Sequence, residues 1–170
     1  MDGRLRLAAG TAMAVVALDQ LTKAIVAATM ALHETIPLLP FFSLTYVRNR
    51  GAAFGILSGA PAALRLPLFL GITAVALWML GSTLRTTPAE RRLVLVALGG
   101  IVGGAVGNLI CRLRFGEVID FFHLHWGPWS WPMFNVADSA ITLGVAVVLV
   151  ESLRAAERGV AGSRSGPSVR

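Results

Sequence analysis

Two stretches of nineteen residues, Leu66 to Leu84 and Leu93 to Cys111, contain no charged side chain. About twenty apolar residues carry an α-helix across the hydrocarbon of a bilayer. In lipid every backbone N–H and C=O must be satisfied within the segment, which leaves the helix as its conformation. Leu7 to Thr29 is a third such stretch, interrupted by Asp19, Gln20 and Lys23. The fourth is shorter: twelve uncharged residues run from Ser139 to Val150 before Glu151, so a spanning helix must reach back over Asp138. The chain therefore reads as an α-helical integral membrane protein with four transmembrane helices, over about 7–29, 66–84, 93–111 and 136–153. These lie in one membrane-embedded domain, residues 1–153.

Composition agrees. With 55% hydrophobic residues, 14% charged residues and a mean hydropathy of +0.71, the 170-residue chain is too apolar for an ordinary soluble domain. Its net charge of +6 could suggest nucleic acid, but the arginines cluster between apolar runs and at the ends rather than along one stripe. Membrane lipid is the expected partner, and nucleic acid is not. Arg4, Arg6, Arg85, Arg91, Arg92, Arg154, Arg158, Arg164 and Arg170 fall on one side of the membrane, against Arg48, Arg50, Arg65, Arg112 and Arg114 on the other. The positive-inside rule then places both termini in the cytoplasm and the loops 30–63 and 112–135 outside. A cleaved signal peptide fits the N-terminus less well, because the apolar run continues past Asp19 to spanning length. The tail 154–170, rich in Gly, Ser and Arg, is expected to be disordered.

Cys111 is the one cysteine, which excludes an intrachain disulfide and a cysteine-based metal cluster. His33, His123 and His125 are not at metal-site spacing. No metal or other cofactor is expected.

The outer loops hold the unusual residues. Phe42 to Val47 alternates as a strand does, and Arg48-Asn49-Arg50-Gly51 follows as a turn before a second apolar stretch, Ala52 to Leu57. A small extracytoplasmic hairpin or sheet is expected there. Loop 115–134 carries Phe121, Phe122, Trp126, Trp129, Trp131 and Phe134, a density suited to a segment lying at the headgroups. In the third span Gly99, Gly100, Gly103, Gly104 and Gly107 form a small-residue face for close helix packing. Asn108 and Arg112 continue that face at i and i+4, toward the bundle interior at the outer surface.

An acid at the bilayer centre costs roughly 2.5–3.5 kcal/mol, so Asp19, Asp120 and Asp138 need reasons. Asp19 has Lys23 one turn along the same helix, which reads as a structural ion pair. Asp120 and Asp138 have no cation at helical spacing. Asp120 sits in Val118-Ile119-Asp120-Phe121-Phe122, an apolar setting that favours the neutral carboxyl. Asp138 falls in the first turn of the fourth helix, where the dipole and free N–H groups favour the anion, and Asn135 is placed to cap that helix. One neutral and one ionised carboxyl, if they meet, are the equipment of an aspartic hydrolase. Intramembrane acids also serve proton or ion translocation, and spacing alone divides these two readings evenly. Position favours the hydrolase, since both acids lie at the outer ends of spans. A scaffold that only binds lipid or protein is the third reading.

Four stretches together resemble the lipoprotein signal peptidase, or signal peptidase II, family: Asp19-Gln20-Leu21-Thr22-Lys23; Asn49-Arg50-Gly51-Ala52-Ala53-Phe54; Gly107-Asn108-Leu109-Ile110-Cys111-Arg112 with Gly116 and Val118-Ile119-Asp120-Phe121; and Phe134-Asn135-Val136-Ala137-Asp138-Ser139. They occur in the family's order over roughly residues 10–150. The resemblance implies an aspartic endopeptidase of the bacterial inner membrane, with its site at the extracytoplasmic face. Such an enzyme cuts the signal peptide from prolipoproteins just before a diacylglyceryl-modified cysteine. It implies Asp120 and Asp138 as catalytic dyad, and Asn49, Asn108, Arg112 and Asn135 as a polar network that holds substrate. The outer hairpin and aromatic loop would be a cradle and flap, and a monomer is expected. The family usually has Asp where this chain has Cys111.

Overall fold

The computed structural model describes residues 2–51, 57, 59 and 61–164, without the side chains of 62, 156 and 158–164. The expected apolar stretch Ala52 to Leu57 lies, apart from Leu57, outside the described residues. Four helices are long and apolar enough to cross a membrane. They are α1 (Gly3–Thr29), α2 (Ala62–Thr86), α3 (Arg92–Phe115) and α4 (Val136–Arg164). Each contains the span read from the sequence and extends beyond it on at least one side. The spanning part of α4 is Val136–Ala155. Where a disordered tail was expected from Arg154, the helix instead continues to Arg164.

Between the helices lies a four-stranded antiparallel sheet in the order β1 (Thr35–Leu39), β2 (Phe42–Asn49), β3 (Val118–Trp126) and β4 (Trp129–Ser130). Two expectations change here. Arg48 and Asn49, read as part of a turn, are the last residues of β2, and the hairpin partner of that strand is the upstream β1. Most of the aromatic loop is also a strand. Val, Ile and Phe suit a pleated surface, and pairing β3 with β2 satisfies backbone groups that a bare interfacial loop would leave open.

Helix α3 is the central helix, packed between α1 and α4, with 56% of its spanning window buried against none of that of α2. The glycines explain how. A Cβ on Gly99 would lie 2.5 Å from the Ala8 carbonyl oxygen of α1, and one on Gly103 2.6 Å from that of Ala12. One on Gly104 would strike the Ala137 carbonyl of α4. The glycines thus form two adjacent faces, one for each neighbouring helix, rather than one.

The sheet is fixed to the C-terminal end of α1 by a core of Val26, Met30, Tyr46, Ile119 and Phe121. Because side chains alternate along a strand, Ile119 and Phe121 pack there while Asp120 between them points to the other face. Gly116 ends α3 with φ +72°, its N–H donating to the Arg112 carbonyl at 2.9 Å. That left-handed cap suits glycine and turns the chain directly into β3, four residues before Asp120.

Candidate active site

Three local devices bring the polar residues together. In the β2–β3 register Val47 pairs with Asp120 and Asn49 with Val118. Asn49 is therefore a diagonal, same-face neighbour of Asp120, and its Nδ2 donates to Asp120 Oδ2 at 3.0 Å. Phe134 makes an isolated bridge with Phe122, its N–H donating to the Phe122 carbonyl at 3.0 Å. This brings Asn135 alongside β3, where its Nδ2 reaches Asp120 Oδ1 at 2.6 Å and the Ile119 carbonyl at 3.2 Å.

Asn135 also caps α4. Its Oδ1 accepts from the Asp138 N–H at 2.9 Å, and Asp138 Oδ2 accepts from the Asn135 N–H at 3.2 Å. This is a reciprocal capping box with Asp at its third helical position. One fully buried residue thus holds both acids, Asp120 through its side-chain amide and Asp138 through cap and backbone. The other Asp138 oxygen, Oδ1, accepts from Asn108 Nδ2 at 2.8 Å.

Behind this layer lies the Asp19–Lys23 pair, 2.8 Å apart and essentially inaccessible to solvent. Its partners extend beyond its own helix. Lys23 Nζ donates to Asn108 Oδ1 at 2.9 Å, which leaves the Asn108 amide nitrogen facing Asp138. Asp19 Oδ1 accepts from the Ala137 N–H at 3.0 Å, occupying another free donor at the start of α4. Gln20 Nε2 donates to Asp19 Oδ2 and to the Gly107 carbonyl, both at 3.0 Å. Arg112 lies over the Phe69 ring, 4.4 Å from its centroid, and its Nη2 approaches the Gly51 carbonyl at 3.5 Å.

All eight residues singled out in the sequence fall in this connected region. Sequence reasoning missed Gln20, Phe69 and the backbone groups of Ala137 and Gly51. Gln20 stood beside Asp19 in a quoted motif, whereas no sequence signal connects Phe69 to Arg112.

A cleft of about 500 Å³ opens onto this network. Asn49, Asn108, Arg112, Asp120 and Asp138 line its polar end, and Ile141, Thr142 and Leu143 carry it down α4. Trp131, Pro132, Met133 and Phe134, the segment after β4, form another wall. Burial, and then the Asp138 carboxylate nearby, push Asp120 from its ordinary 3.8 up to about 7, against the opposing pull of the Asn49 and Asn135 donors. A carboxyl that holds its proton near neutrality beside a second one can exchange protons with a water between them. Among the described residues no group of three His, Cys, Asp or Glu side chains could hold a metal ion.

Comparison with known proteins follows the same lines. The family model for signal peptidase (SPase) II matches residues 11–154. The lipoprotein signal peptidase of Syntrophotalea carbinolica is 48% identical over 141 residues, 82% of this chain and 86% of that protein. That of Geobacter sulfurreducens is 47% identical over 142 residues, 83% and 88% respectively. Two solved bacterial membrane enzymes, determined by the in meso method at 2.3 and 1.9 Å, share the fold. The first has a TM-score of 0.80 at 32% identity, over 96% of this chain and 94% of that one. The second has a TM-score of 0.75 at 35% identity, over 86% and 92%.

Proposed function

The chain belongs to the signal peptidase II family, and from that premise we propose that it is a multi-pass membrane aspartic endopeptidase using Asp120 and Asp138. It removes the signal peptide from prolipoproteins, cutting before the lipid-modified cysteine. The observation that carries the catalytic assignment is the shared Asn135, which holds both carboxyls at one cleft.

In the reaction Asp138 takes a proton from a water in the cleft, and the resulting hydroxide adds to the scissile carbonyl carbon. Asp120, protonated near neutral pH, gives its proton to the carbonyl oxygen, so a neutral gem-diol forms. Asp138 then returns a proton to the leaving nitrogen as the C–N bond breaks, and Asp120 recovers one from the collapsing diol. Asn49, Asn108 and Asn135 hold the carboxyls in place, and Arg112 offers a cation to substrate carbonyls. The apolar wall along α4 suits a substrate held in the bilayer by its lipid and its signal helix.

The excess of arginine at the chain ends and in the α2–α3 loop supports cytoplasmic termini and a site at the extracytoplasmic face of the bacterial inner membrane. The chain works as a monomer, with residues 1–153 as the peptidase domain. The polar groups gather at one end of the bundle, whereas a transport path would need them through its depth.

The test is processing of a diacylglyceryl-modified prolipoprotein by purified protein in lipid, read on a gel. Wild type should cleave, and Asp120→Asn and Asp138→Asn should each abolish cleavage. Cleavage that survives in either variant would remove that acid from the mechanism. A molecule presenting a hydroxyl between the two carboxyls should bind wild type more tightly than Asp138→Asn.

A further inference from the structure

One peptide unit at the end of β2 is held from both sides. The Arg50 carbonyl accepts from Arg65 Nη1 at 3.1 Å, and the N–H of the same unit, on Gly51, donates to Asn49 Oδ1 at 2.9 Å. In a trans peptide these two groups point in opposite directions. A cation at the oxygen and an acceptor at the N–H therefore polarise the unit in one sense, as in any chain of hydrogen bonds. Asn49 extends the chain: with Oδ1 occupied by the Gly51 N–H, its Nδ2 faces Asp120 Oδ2 at 3.0 Å. Turning the amide over would set oxygen against carboxylate and N–H against N–H.

We propose that Arg65 is a positioning residue for the dyad, acting through the Arg50–Gly51 peptide and the Asn49 amide to fix the donor that Asp120 receives. The inference rests on the reading of Asp120 as one of the catalytic pair. Arg65 lies at the start of α2, whose remaining length to Leu84 has no charge, and sequence reasoning used it only in the count of basic residues. Its guanidinium and that of Arg112 meet successive carbonyls, Arg50 from α2 and Gly51 from α3. The planar fork of arginine suits such directed contacts better than the point charge of lysine.

A merely structural Arg65 would tie α2 to the sheet and alter stability alone. A positioning Arg65 alters the ionisation of Asp120. The other charged groups acting on Asp120 are Asp138 from α4, Lys23 from α1 and Arg112 from α3, each carried on an element other than α2. Donation by Asn49 favours the ionised form of Asp120, so weakening it moves the alkaline limb of the pH–rate profile, where Asp120 loses the proton it must donate, upward.

The experiment measures cleavage of a diacylglyceryl-modified prolipoprotein against pH in lipid, for wild type, Arg65→Met, Arg65→Lys, Asn49→Ala and the Arg65→Met/Asn49→Ala double variant. Arg65→Met should lower kcat about tenfold, leave KM within about threefold, and raise the alkaline limb by about half a pH unit. In the Asn49→Ala background the same change should cost nothing further, because the two residues act in series. Arg65→Lys should recover part of the loss. Additive effects in the double variant, an unmoved limb, or a change confined to KM each overturn the proposal. If Arg65→Met fails to fold, Arg65→Gln, which keeps a neutral donor, is carried through the same cycle with the same criteria. Cleavage by Asp120→Asn would sink the catalytic reading itself, whereas a dead Asp120→Asn beside a wild-type-like Arg65→Met would sink only the role of Arg65.

Discussion

Replacing Asn135 by alanine tests the site more severely than removing either acid. Asn135 is 0% exposed, so no water can take over its contacts without rearrangement. The change deletes the cap of α4, worth about 1 kcal/mol, and strips Asp120 Oδ1 of the donor at 2.6 Å. A buried acceptor left without its partner costs about 1–3 kcal/mol, for a loss of stability of about 2–4 kcal/mol. Catalysis should suffer separately. A charge-assisted hydrogen bond of about 1.5–3 kcal/mol corresponds to roughly ten- to a hundredfold in rate. With that donor gone Asp120 holds its proton to higher pH than about 7, and the alkaline limb moves up with it. Asn135→Ser separates the two roles, because serine caps helices well but carries no amide to donate to Asp120. It should keep the share of stability due to the cap, about 1 kcal/mol more than Asn135→Ala, and lose the activity. Thermal unfolding in detergent, with prolipoprotein processing across pH, reads both. Asn135→Ala that cleaves within threefold of wild type, with an unmoved limb, would refute the idea that this residue organises the dyad.

Three further outcomes follow from the same contacts. Lys23→Met leaves Asp19 as a buried charge without its cation, at a cost of about 3–5 kcal/mol; adding Asp19→Asn should restore much of that in an unfolding assay, and no restoration would mean the pair matters for another reason. Gly103→Ala puts a methyl 2.6 Å from the Ala12 carbonyl and should destabilise by about 1–3 kcal/mol or more, whereas Gly81→Ala meets open space and should gain up to about 1 kcal/mol. Asp120 has an ordinary value of 3.8 when unfolded and about 7 when folded, so its contribution to stability is full below 3.8 and is lost as pH rises through about 7. Unfolding measured across that window should fall by on the order of 1.4 kcal/mol per pH unit in wild type and stay flatter in Asp120→Asn; equal slopes would count against the raised value.

The helices were legible because lipid leaves a long uncharged run only one conformation, and Asp138 had to be included for the fourth run to reach spanning length. The sheet was half legible. Alternation announced β2, but its extent through Arg48 and Asn49 depends on β3, which lies about seventy residues away and reads as a loop when only its aromatic content is considered. The role of Lys23 was hidden for a similar reason. Spacing shows the i, i+4 partner Asp19, whereas the contact with Asn108 exists only because glycines let α3 approach α1 closely. A residue such as Phe69 gives no signal at all, since an aromatic in an apolar helix is indistinguishable in sequence from one that faces lipid.

Cys111 shows how far this network depends on any one acid. The family usually has Asp at this position, where a carboxylate would pair with or orient the neighbouring Arg112. In the structure the thiol is 1% exposed and faces Gln20 Nε2 at 3.8 Å. Gln20 meanwhile has stronger acceptors in Asp19 and the Gly107 carbonyl. Arg112 is positioned from elsewhere, by the Phe69 ring and the Gly51 carbonyl. A buried carboxylate at 111 would need donors of its own, and the nearest amide is already engaged. A small, weakly polar thiol fills the space without that demand, so the polar network closes around Asp120 and Asp138 with cysteine in place.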